Sequence, residues 1–351
     1  MRVAVGLSGG VDSTLTALLL KEQGHEVIAL TMALYNEEIP NLKVAGDACY
    51  GPTEKQDIKD VQAWCKSQHI EHRVINLSDA YKKTVLKYFR DTYLSGATPN
   101  PCIMCNAGMK FGLLIDEAQK DVTFDAFATG HYARIQKTPK GFVLARGVDV
   151  KKDQSYFLYR LSQSQLARTI FPLGEYTKLE VRSMAKERGL AVADKADSQD
   201  FYAGDYADLL QVEDKVGQIV LTSGKVLGKH KGFWHYTIGQ RKGLGIAYPE
   251  PLYVVDLDAK HNRVIVGVES ETKRTSCEVV QPVLGVLAKG KKKFDCLVKY
   301  RSAGQLVPAK VFEKEEGVWQ IDFAEPQKSL TPGQSAVFYQ DDVVLGGGFI
   351  K

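Results

Sequence analysis

The sequence predicts an α/β protein in which a doubly wound parallel sheet is followed by a small mixed central domain and a carboxyl-terminal β-barrel. The first part of the chain alternates short apolar runs with longer amphipathic segments, which is typical of parallel β–α–β units. Glycine-rich, strand-like segments follow, and the last part consists of short runs that alternate apolar and polar residues. We therefore expect three domains, at residues 1–197, 198–274 and 275–351.

The first domain has candidate strands and helices in strict alternation. Each strand is a short apolar run, and each helix carries apolar residues on one side of a 3.6-residue period. The predicted strands are residues 3–7, 27–32, 73–76 and 126–129. The predicted helices are residues 13–23, 57–68, 80–94 and 105–119.

Beyond residue 151 the pattern becomes mixed. A helix is predicted at residues 178–188, with Gly189 marking its end. The central domain has strand-like segments at residues 218–222, 252–256 and 263–266. Short alternating runs predict the barrel strands, at residues 294–299, 309–312, 318–323, 335–339 and 343–345.

The composition is that of an ordinary globular protein, since 44% of the 351 residues are hydrophobic and 25% are charged. No apolar run approaches the roughly 18 residues of a membrane-spanning helix, and the first residues lack a signal-peptide pattern. We expect a soluble, cytoplasmic protein with no membrane partner. The net charge of +4 permits an acidic partner without requiring one, and the six cysteines are too few for a disulfide scaffold.

A glycine-rich turn, Ser8-Gly-Gly-Val-Asp-Ser13, follows the first strand and leads into a helix. Adjacent glycines let the backbone approach a phosphate, and the helix amino terminus offers N–H donors and partial positive charge. Asp12 would repel phosphate unless a cation intervened, so we interpret it as a Mg²⁺ ligand or organiser. The turn is neither a Walker A loop nor a dinucleotide fingerprint, and the alternative is a simple turn that caps a helix.

A Cys-x-x-Cys pair, Cys102 and Cys105, lies in the segment Thr98–Asn106 ahead of a helical run. A cysteine at a helix start has its pKa lowered by the helix dipole, which favours the nucleophilic thiolate. Such a thiolate could carry sulfur or bind a metal. A zinc site is disfavoured because no second pair of ligands accompanies the motif, and two buried cysteines or a redox pair are the remaining alternatives.

These two motifs, with three further segments, resemble the tRNA-specific 2-thiouridylase family from end to end. The glycine-rich turn is similar to the ATP pyrophosphatase loop. The further segments are Ala128-Thr-Gly-His-Tyr-Ala-Arg134, Lys152-Asp-Gln-Ser-Tyr-Phe-Leu158 and His235-Tyr-Thr-Ile-Gly-Gln-Arg-Lys-Gly-Leu-Gly245. The resemblance implies that ATP, with Mg²⁺, adenylates O2 of the wobble uridine in the anticodon arm of tRNA. Sulfur then displaces AMP and leaves 2-thiouridine.

The resemblance also implies roles for individual residues. Cys105 matches the first catalytic cysteine, and Asn100, Pro101 and Cys102 match the loop that meets the target base. The nucleotide-contacting positions are matched by Gly6, Leu7, Ser8, Gly9, Gly10, Val11, Asp12, Ser13, Met32 and Gly130. The tRNA-contacting positions are matched by His131, Lys152, Asp153, Gln154, Tyr300, Arg301 and Gln334.

The sequence departs from the better-known branch of the family at two positions. Cys102 stands where that branch has an aspartate, and Tyr202 stands where it has the persulfide-carrying second cysteine. A phenol cannot carry a persulfide, so a relay between two distant cysteines cannot operate. Sulfur either arrives directly on Cys105 with Cys102 as its resolving partner, or the thiols hold a [4Fe–4S] cluster with Cys49 as third ligand.

Several alternatives stay open. A cysteine desulfurase or a sulfur-relay protein is the expected sulfur donor. A tRNA-binding or sulfur-handling homologue with reduced activity is the second interpretation, and a pyrophosphatase that acts on a small-molecule amide is disfavoured. Cys65, Cys277 and Cys296 are expected to be packing residues. Lysine-rich runs, of which residues 289–293 are the longest, are either solvated loop tips or cations for tRNA phosphates.

Overall fold

The computed structural model describes residues 1–36, 48–197 and 201–351. The strands of its first part are β1 (Arg2–Gly6), β2 (Glu26–Ala33), β3 (Glu71–Asn76), β4 (Ala126–Ala128), β5 (Ala133–Thr138), β6 (Gly141–Arg146) and β7 (Thr169–Ile170). A parallel sheet runs in the order β3-β2-β1-β4-β7. The predicted parallel sheet is therefore confirmed, and its order reverses at β1 and β4, where ligands of such sheets bind.

Both faces of this sheet are covered, which explains why its central strand is apolar throughout. Val3 and Val5 of β1 face the helices α1 (Val11–Glu22) and α2 (Glu54–Ser67). Ala4, between them, belongs to the larger core on the opposite face. Successive strand residues point to opposite faces, so a strand buried on both sides reads as one apolar run.

Two long helical segments, residues 78–94 and 101–118, cover that opposite face. The first consists of α3 (Ser78–Tyr81), a π-helical stretch (Lys82–Leu86) and α4 (Lys87–Leu94). The second consists of α5 (Pro101–Met104), a longer π-helical stretch (Cys105–Leu113) and α6 (Leu114–Ala118). It starts earlier than predicted because Pro101 occupies its first turn, where the fixed φ of proline suits a helix start.

Shorter helices follow: α7 (Gln163–Ala167), α8 (Lys178–Glu187) and α9 (Tyr206–Leu210). The start of α8 is fixed by Thr177 and Glu180, which form a capping box. Its apolar side, with Val181 and Ala185, packs on the Leu15 side of α1. Within the described part of the chain, no helix has both the length and the apolar character needed to cross a bilayer.

The central part is a mixed sheet of four strands. Its strands are β8 (Gly217–Leu221), β9 (Val226–His230), β10 (Tyr253–Asp258) and β11 (Arg263–Gly267), in the order β10-β11-β8-β9. The pair β8–β11 is parallel and the other pairs are antiparallel. The predicted mixed character of this region is confirmed.

The carboxyl-terminal part is a closed antiparallel barrel. Its strands are β12 (Lys273–Leu284), β13 (Lys293–Lys299), β14 (Val307–Glu315), β15 (Val318–Lys328), β16 (Ser335–Gln340) and β17 (Val343–Ile350). They follow the order β12-β15-β14-β13-β16-β17, and pairing of β12 with β17 closes the ring. The predicted barrel is confirmed, and β12 is a strand that the sequence analysis did not single out.

The hairpin β5–β6 is also unpredicted, and it links the first part of the chain to the barrel. It joins the edge of the barrel sheet through a pairing of Ala145 with Val343. Nearby, Asp153 has no exposed side-chain surface and lies 3.5 Å from the Arg146 guanidinium and 3.9 Å from the Lys299 ammonium. The barrel is thus joined to the first part of the chain by a strand pairing and a buried ionic cluster.

Candidate active site at the carboxyl edge of the parallel sheet

The glycine-rich turn lies between β1 and α1, at the reversal point of the sheet. Gly9 has a φ of +78°, a conformation that glycine adopts without a Cβ penalty. Gly10 caps α1, and among the described residues no side chain makes a capping hydrogen bond at this helix start. The Ser8 N–H donates to the Ser13 hydroxyl at 3.2 Å, and that hydroxyl donates to the Gly10 carbonyl at 3.1 Å. The turn is therefore preformed and open towards an anion.

Gly130, after β4, packs directly on this turn. A Cβ at this position would lie 2.7 Å from the Asp12 carbonyl carbon and 2.9 Å from the Asp12 Cβ. Only glycine fits such a contact without displacing a neighbour. Met32 lies near the end of β2, next to the strand that leads into the turn. The residues expected to contact the nucleotide thus come from the ends of adjacent strands.

Asp12 is enclosed by two residues that the sequence analysis missed. The Lys178 ammonium donates to both Asp12 carboxylate oxygens, at 2.7 and 2.8 Å. The Tyr132 hydroxyl donates to one of them at 2.9 Å, and burial together with the Asp12 charge raises the pKa of that phenol. Tyr132 could have been found within the 128–134 motif, but Lys178 carries no local signal beyond a helix start.

The cysteine loop is held by the barrel. The Thr98 N–H donates to the Pro332 carbonyl at 2.8 Å. The Gln334 amide donates to the carbonyls of Thr98 and Pro99, at 3.2 and 3.0 Å. Gln334, expected to contact tRNA, therefore also positions the segment that carries Cys102.

The expected depression of the Cys105 pKa is wrong. Cys105 lies one turn inside the helical segment, at the start of the π-helical stretch, rather than at its amino terminus. Burial raises the pKa of the Cys105 thiol to about 11, and the nearby positive charge of Lys110 offsets this only in part. Without a further cation the thiol stays protonated at neutral pH.

Lys110 is a third functional candidate that the sequence analysis missed. A π-helix has more residues per turn than an α-helix, so the fifth residue after Cys105 returns towards the same side. The charge of Lys110 acts on both the Cys105 thiol and the His131 imidazole. Burial, aided by that charge, lowers the pKa of His131 well below its usual value, so the ring is neutral. The ring lies against Phe111, with the ring centroids 5.8 Å apart.

Three thiols lie close enough to one buried phenol to affect its pKa. The pKa of Tyr81 is raised well above its usual value by burial, and the charges of Cys105, Cys49 and Cys102 add to that effect. Cys49 is exposed, whereas the other two thiols are partly covered. Within residues 1–36, 48–197 and 201–351, no three cysteine, histidine or acidic side chains already form a metal-binding group. The thiols thus share one neighbourhood without being in coordinating positions.

Tyr202 is part of the hydrophobic core. Its side chain is buried, and its hydroxyl donates to the Asp208 carboxylate at 3.0 Å. Its neighbour Phe201 packs on Phe89, with ring centroids 5.0 Å apart. Residues 198–200 of the motif that precedes it lie outside the described residues. Tyr202 is therefore a core packing residue at the position where the better-known branch of the family has its second cysteine.

The remaining residues expected to contact tRNA mostly have internal partners. The Lys152 ammonium lies 2.6 Å from the Asp197 carboxylate, and Gln154 accepts the Tyr132 N–H at 2.9 Å. The Tyr300 hydroxyl donates to Gln327 at 3.1 Å, and Arg301 donates to the Ser329 carbonyl. Asp153 is fully enclosed, so its expected contact with tRNA is not available in this structure, and its carboxylate instead binds the hairpin and barrel cations.

The comparisons with known proteins cover the whole chain. Family models described as the tRNA methyl transferase HUP domain, the tRNA methyl transferase PRC-barrel domain and the aminomethyltransferase beta-barrel domain match residues 1–202, 209–268 and 274–350. The tRNA-specific 2-thiouridylase MnmA of Endomicrobium trichonymphae is 45% identical over 100% of this chain and 99% of its own length. This chain belongs to the tRNA-specific 2-thiouridylase family.

A second relative has the same name, and one solved structure of another enzyme is similar at low sequence identity. The tRNA-specific 2-thiouridylase MnmA of Aquifex aeolicus (strain VF5) is 41% identical, over 100% of this chain and 99% of its own. A solved 4-thiouridine synthetase–RNA complex with bound ATP is 18% identical with a TM-score of 0.38, covering 60% of this chain and 45% of that chain. The resemblance and the enzyme class, ATP-dependent 2-thiolation of tRNA, are confirmed at the level of the family.

Proposed function

We propose that this protein activates O2 of the wobble uridine of tRNA with ATP and replaces that oxygen with sulfur delivered at Cys105. One chain of contacts carries the proposal. The π-helical stretch that begins at Cys105 packs on His131 through Phe111, and the adjacent Gly130 packs on Asp12 of the glycine-rich turn. A nucleotide on that turn and a sulfur on Cys105 therefore meet across residues 130 and 131.

The chemistry has two displacements. O2 of the uridine forms a bond to the α-phosphorus of ATP, and pyrophosphate leaves. Sulfur then forms a bond to C2, and AMP leaves with the original oxygen. The N–H groups at the start of α1 face the departing phosphates, and the partial cover over Cys105 limits hydrolysis of the adenylated base.

The residues around the turn do not present an open magnesium site. Both Asp12 oxygens are engaged by Lys178, and one also accepts from Tyr132. Asp12 acts here as the partner of a buried cation, contrary to the role that the isolated motif suggests.

For sulfur delivery, we propose that Cys49, Cys102 and Cys105 are the ligands of an iron–sulfur cluster. All three act on the pKa of Tyr81 and have the thiol chemistry that such a cluster needs, but they are not in coordinating positions in this structure and would have to move together to bind it. The raised pKa of Cys105 supports this choice, since a free thiol with that pKa is a poor nucleophile at neutral pH. When bound, the cluster would supply an open iron that carries hydrosulfide. Direct loading of Cys105, with Cys102 as partner, is the alternative.

The test of the activity measures AMP and 2-thiouridine together. Wild-type protein, prepared without oxygen and given ATP, sulfide and unmodified tRNA, is expected to form both products. Cys105→Ser is expected to lose 2-thiouridine, whereas the control Cys65→Ser, at a buried cysteine of the α2 core, keeps it. Tight tRNA binding without AMP release would instead establish the reduced-activity homologue.

The test of the sulfur route is metal analysis of the same preparation. About four iron and four sulfide ions per chain are expected, with loss of both in Cys49→Ser but not in Cys65→Ser. Thiolation by an iron-free preparation supplied with cysteine and a cysteine desulfurase, which delivers persulfide sulfur, and unaffected by Cys49→Ser, would exclude the cluster. It would leave a Cys105 persulfide as the sulfur carrier, with Cys102 forming a disulfide with Cys105 once the outer sulfur has been transferred. Measurement of 2-thiouridine formed by each variant on unmodified tRNA then shows whether Cys102 and Cys105 alone are sufficient for sulfur transfer.

A further inference from the structure

We propose that Lys178 is a positioning residue for the reaction, which ties Asp12 of the glycine-rich turn to Asp197 at the start of the segment that leads to Tyr202. The proposal rests on the proposed function only in placing the nucleotide at this turn. No motif in the sequence pointed to Lys178, and its partner Asp12 lies far away along the chain. The separation is 166 positions for Asp12.

The contacts account for the whole donor capacity of the lysine. An ammonium has three N–H groups. The Lys178 ammonium lies 2.7 and 2.8 Å from the two Asp12 oxygens and 2.7 Å from Asp197 Oδ1. It also lies 5.7 Å from the centre of the Tyr132 ring, and its side chain is only 11% exposed. The lysine is thus held in one place by two carboxylates.

The position of Lys178 in its helix costs stability that the carboxylates must offset. Lys178 is the first residue of α8, where the helix dipole disfavours a positive charge. Its own N–H donates to the Asp149 carboxylate at 2.9 Å, and the Thr177 cap fixes the turn. The buried cation is stabilised there by two carboxylates, Asp12 on α1 and Asp197 beyond the end of α8.

The cluster beside the glycine-rich turn is close to charge balance. Asp197 binds Lys152 at 2.6 Å and Arg182 at 3.3 Å in addition to Lys178. Burial acts to raise the pKa of Asp197, but hydrogen bonds from Lys152 and Lys178 outweigh it and lower that pKa. Three cations therefore face the carboxylates of Asp12, Asp149 and Asp197, so loss of one cation would leave a negative cluster beside an approaching triphosphate.

Two consequences follow for the reaction. Lys178 fixes the carboxylate of Asp12, which lies in the first turn of α1 and packs against Gly130. Through Asp197 it also reaches Lys152, a residue expected to contact tRNA. Loss of Lys178 releases both carboxylates, lowers the local positive charge and lets the turn lose its preformed shape.

The experiment compares Lys178→Met with Lys178→Arg and with the control Lys186→Met. Lys186 is on the same helix but pairs with Asp194 at the surface, so its loss removes the same charge elsewhere. We expect Lys178→Met to weaken ATP binding at least tenfold by calorimetry and to lower kcat/KM for AMP release at least as much. Lys178→Arg should recover part of both, and the control should match wild type.

A double-mutant cycle with Asp197→Asn separates positioning from general destabilisation. If the two residues act together, the double variant is no worse than Lys178→Met alone. Multiplicative losses, or Lys178→Met with wild-type ATP affinity and kcat/KM, would overturn the proposal. Wild-type protein that binds ATP but releases no AMP would refute the proposed function, and the ATP affinities of the variants would still decide the role of Lys178.

Discussion

Gly130→Ala tests whether the close packing of the β4–β5 connection on the glycine-rich turn is needed for nucleotide binding. The added methyl would lie 2.7, 2.9 and 3.0 Å from the carbonyl carbon, Cβ and carbonyl oxygen of Asp12. Carbon atoms prefer separations of about 3.5–4.0 Å, so one of the two segments must move by roughly 1 Å. Such overpacking costs about 1–3 kcal/mol of folding free energy.

That displacement is enough to break the site. The Lys178–Asp12 contacts, now 2.7 and 2.8 Å, would lengthen beyond hydrogen-bond distance if Asp12 moved away. A misplacement of about 1 Å near a reacting group can cost roughly a hundredfold in rate. We expect ATP affinity, measured by titration calorimetry, to fall at least tenfold.

The matched control is Gly108→Ala. Within the described part of the chain, no atom beyond the local helix backbone and the two chain neighbours lies within 4 Å of a Cβ at Gly108, so the same methyl meets open space there. Its ATP affinity and melting temperature should equal or exceed those of wild type, because alanine favours helices over glycine. Folded Gly130→Ala with ATP affinity within twofold of wild type would refute the packing argument.

Three further predictions concern Tyr202, Cys105 and Asp153. Tyr202→Phe should lower stability by about 1 kcal/mol through loss of the 3.0 Å bond to Asp208 and keep thiolation, since the phenol carries no sulfur; a stable variant without thiolation would contradict this. Because the Cys105 pKa is about 11, its alkylation in metal-free protein should rise about tenfold per pH unit from pH 7 to 9, and mass spectrometry would show a plateau below pH 8 if the pKa were low. Asp153→Asn should lower the free energy of unfolding in urea by about 3 kcal/mol, because it removes the buried carboxylate that faces Arg146 and Lys299. The control Asp342→Asn, at a side chain 59% exposed, should cost less than about 1 kcal/mol. Equal effects of the two substitutions would contradict the assigned burial of Asp153.

The fold was predictable where local pattern and final burial agree. The strands β1, β2 and β4 are mostly apolar because helices cover both faces of their sheet, so they stand out in the sequence. The hairpin β5–β6 did not stand out, because its sheet partner Val343 is about two hundred residues away and no local signal encodes that pairing. The π-helical stretches were also missed, since a periodicity of 3.6 residues does not distinguish them from α-helix.

The candidate site divides in the same way. The glycine-rich turn and the cysteine pair were found because their residue types and spacing carry the chemistry themselves. Lys178 was not found, because its role depends on carboxylates at positions 12 and 197 that only the folded chain brings together. The sequence also misjudged Cys105, because the helix-start rule for cysteine pKa ignores how deeply the following residues bury the thiol.

The most direct test of the proposed function is the ratio of 2-thiouridine formed to AMP released by oxygen-free wild-type protein with ATP, sulfide and unmodified tRNA. The two displacements predict one 2-thiouridine per AMP, with the sulfur at the wobble position and neither product without tRNA. AMP release that does not depend on tRNA, or tRNA that stays unmodified while AMP accumulates, would contradict the proposal that the glycine-rich turn and Cys105 act on the same base.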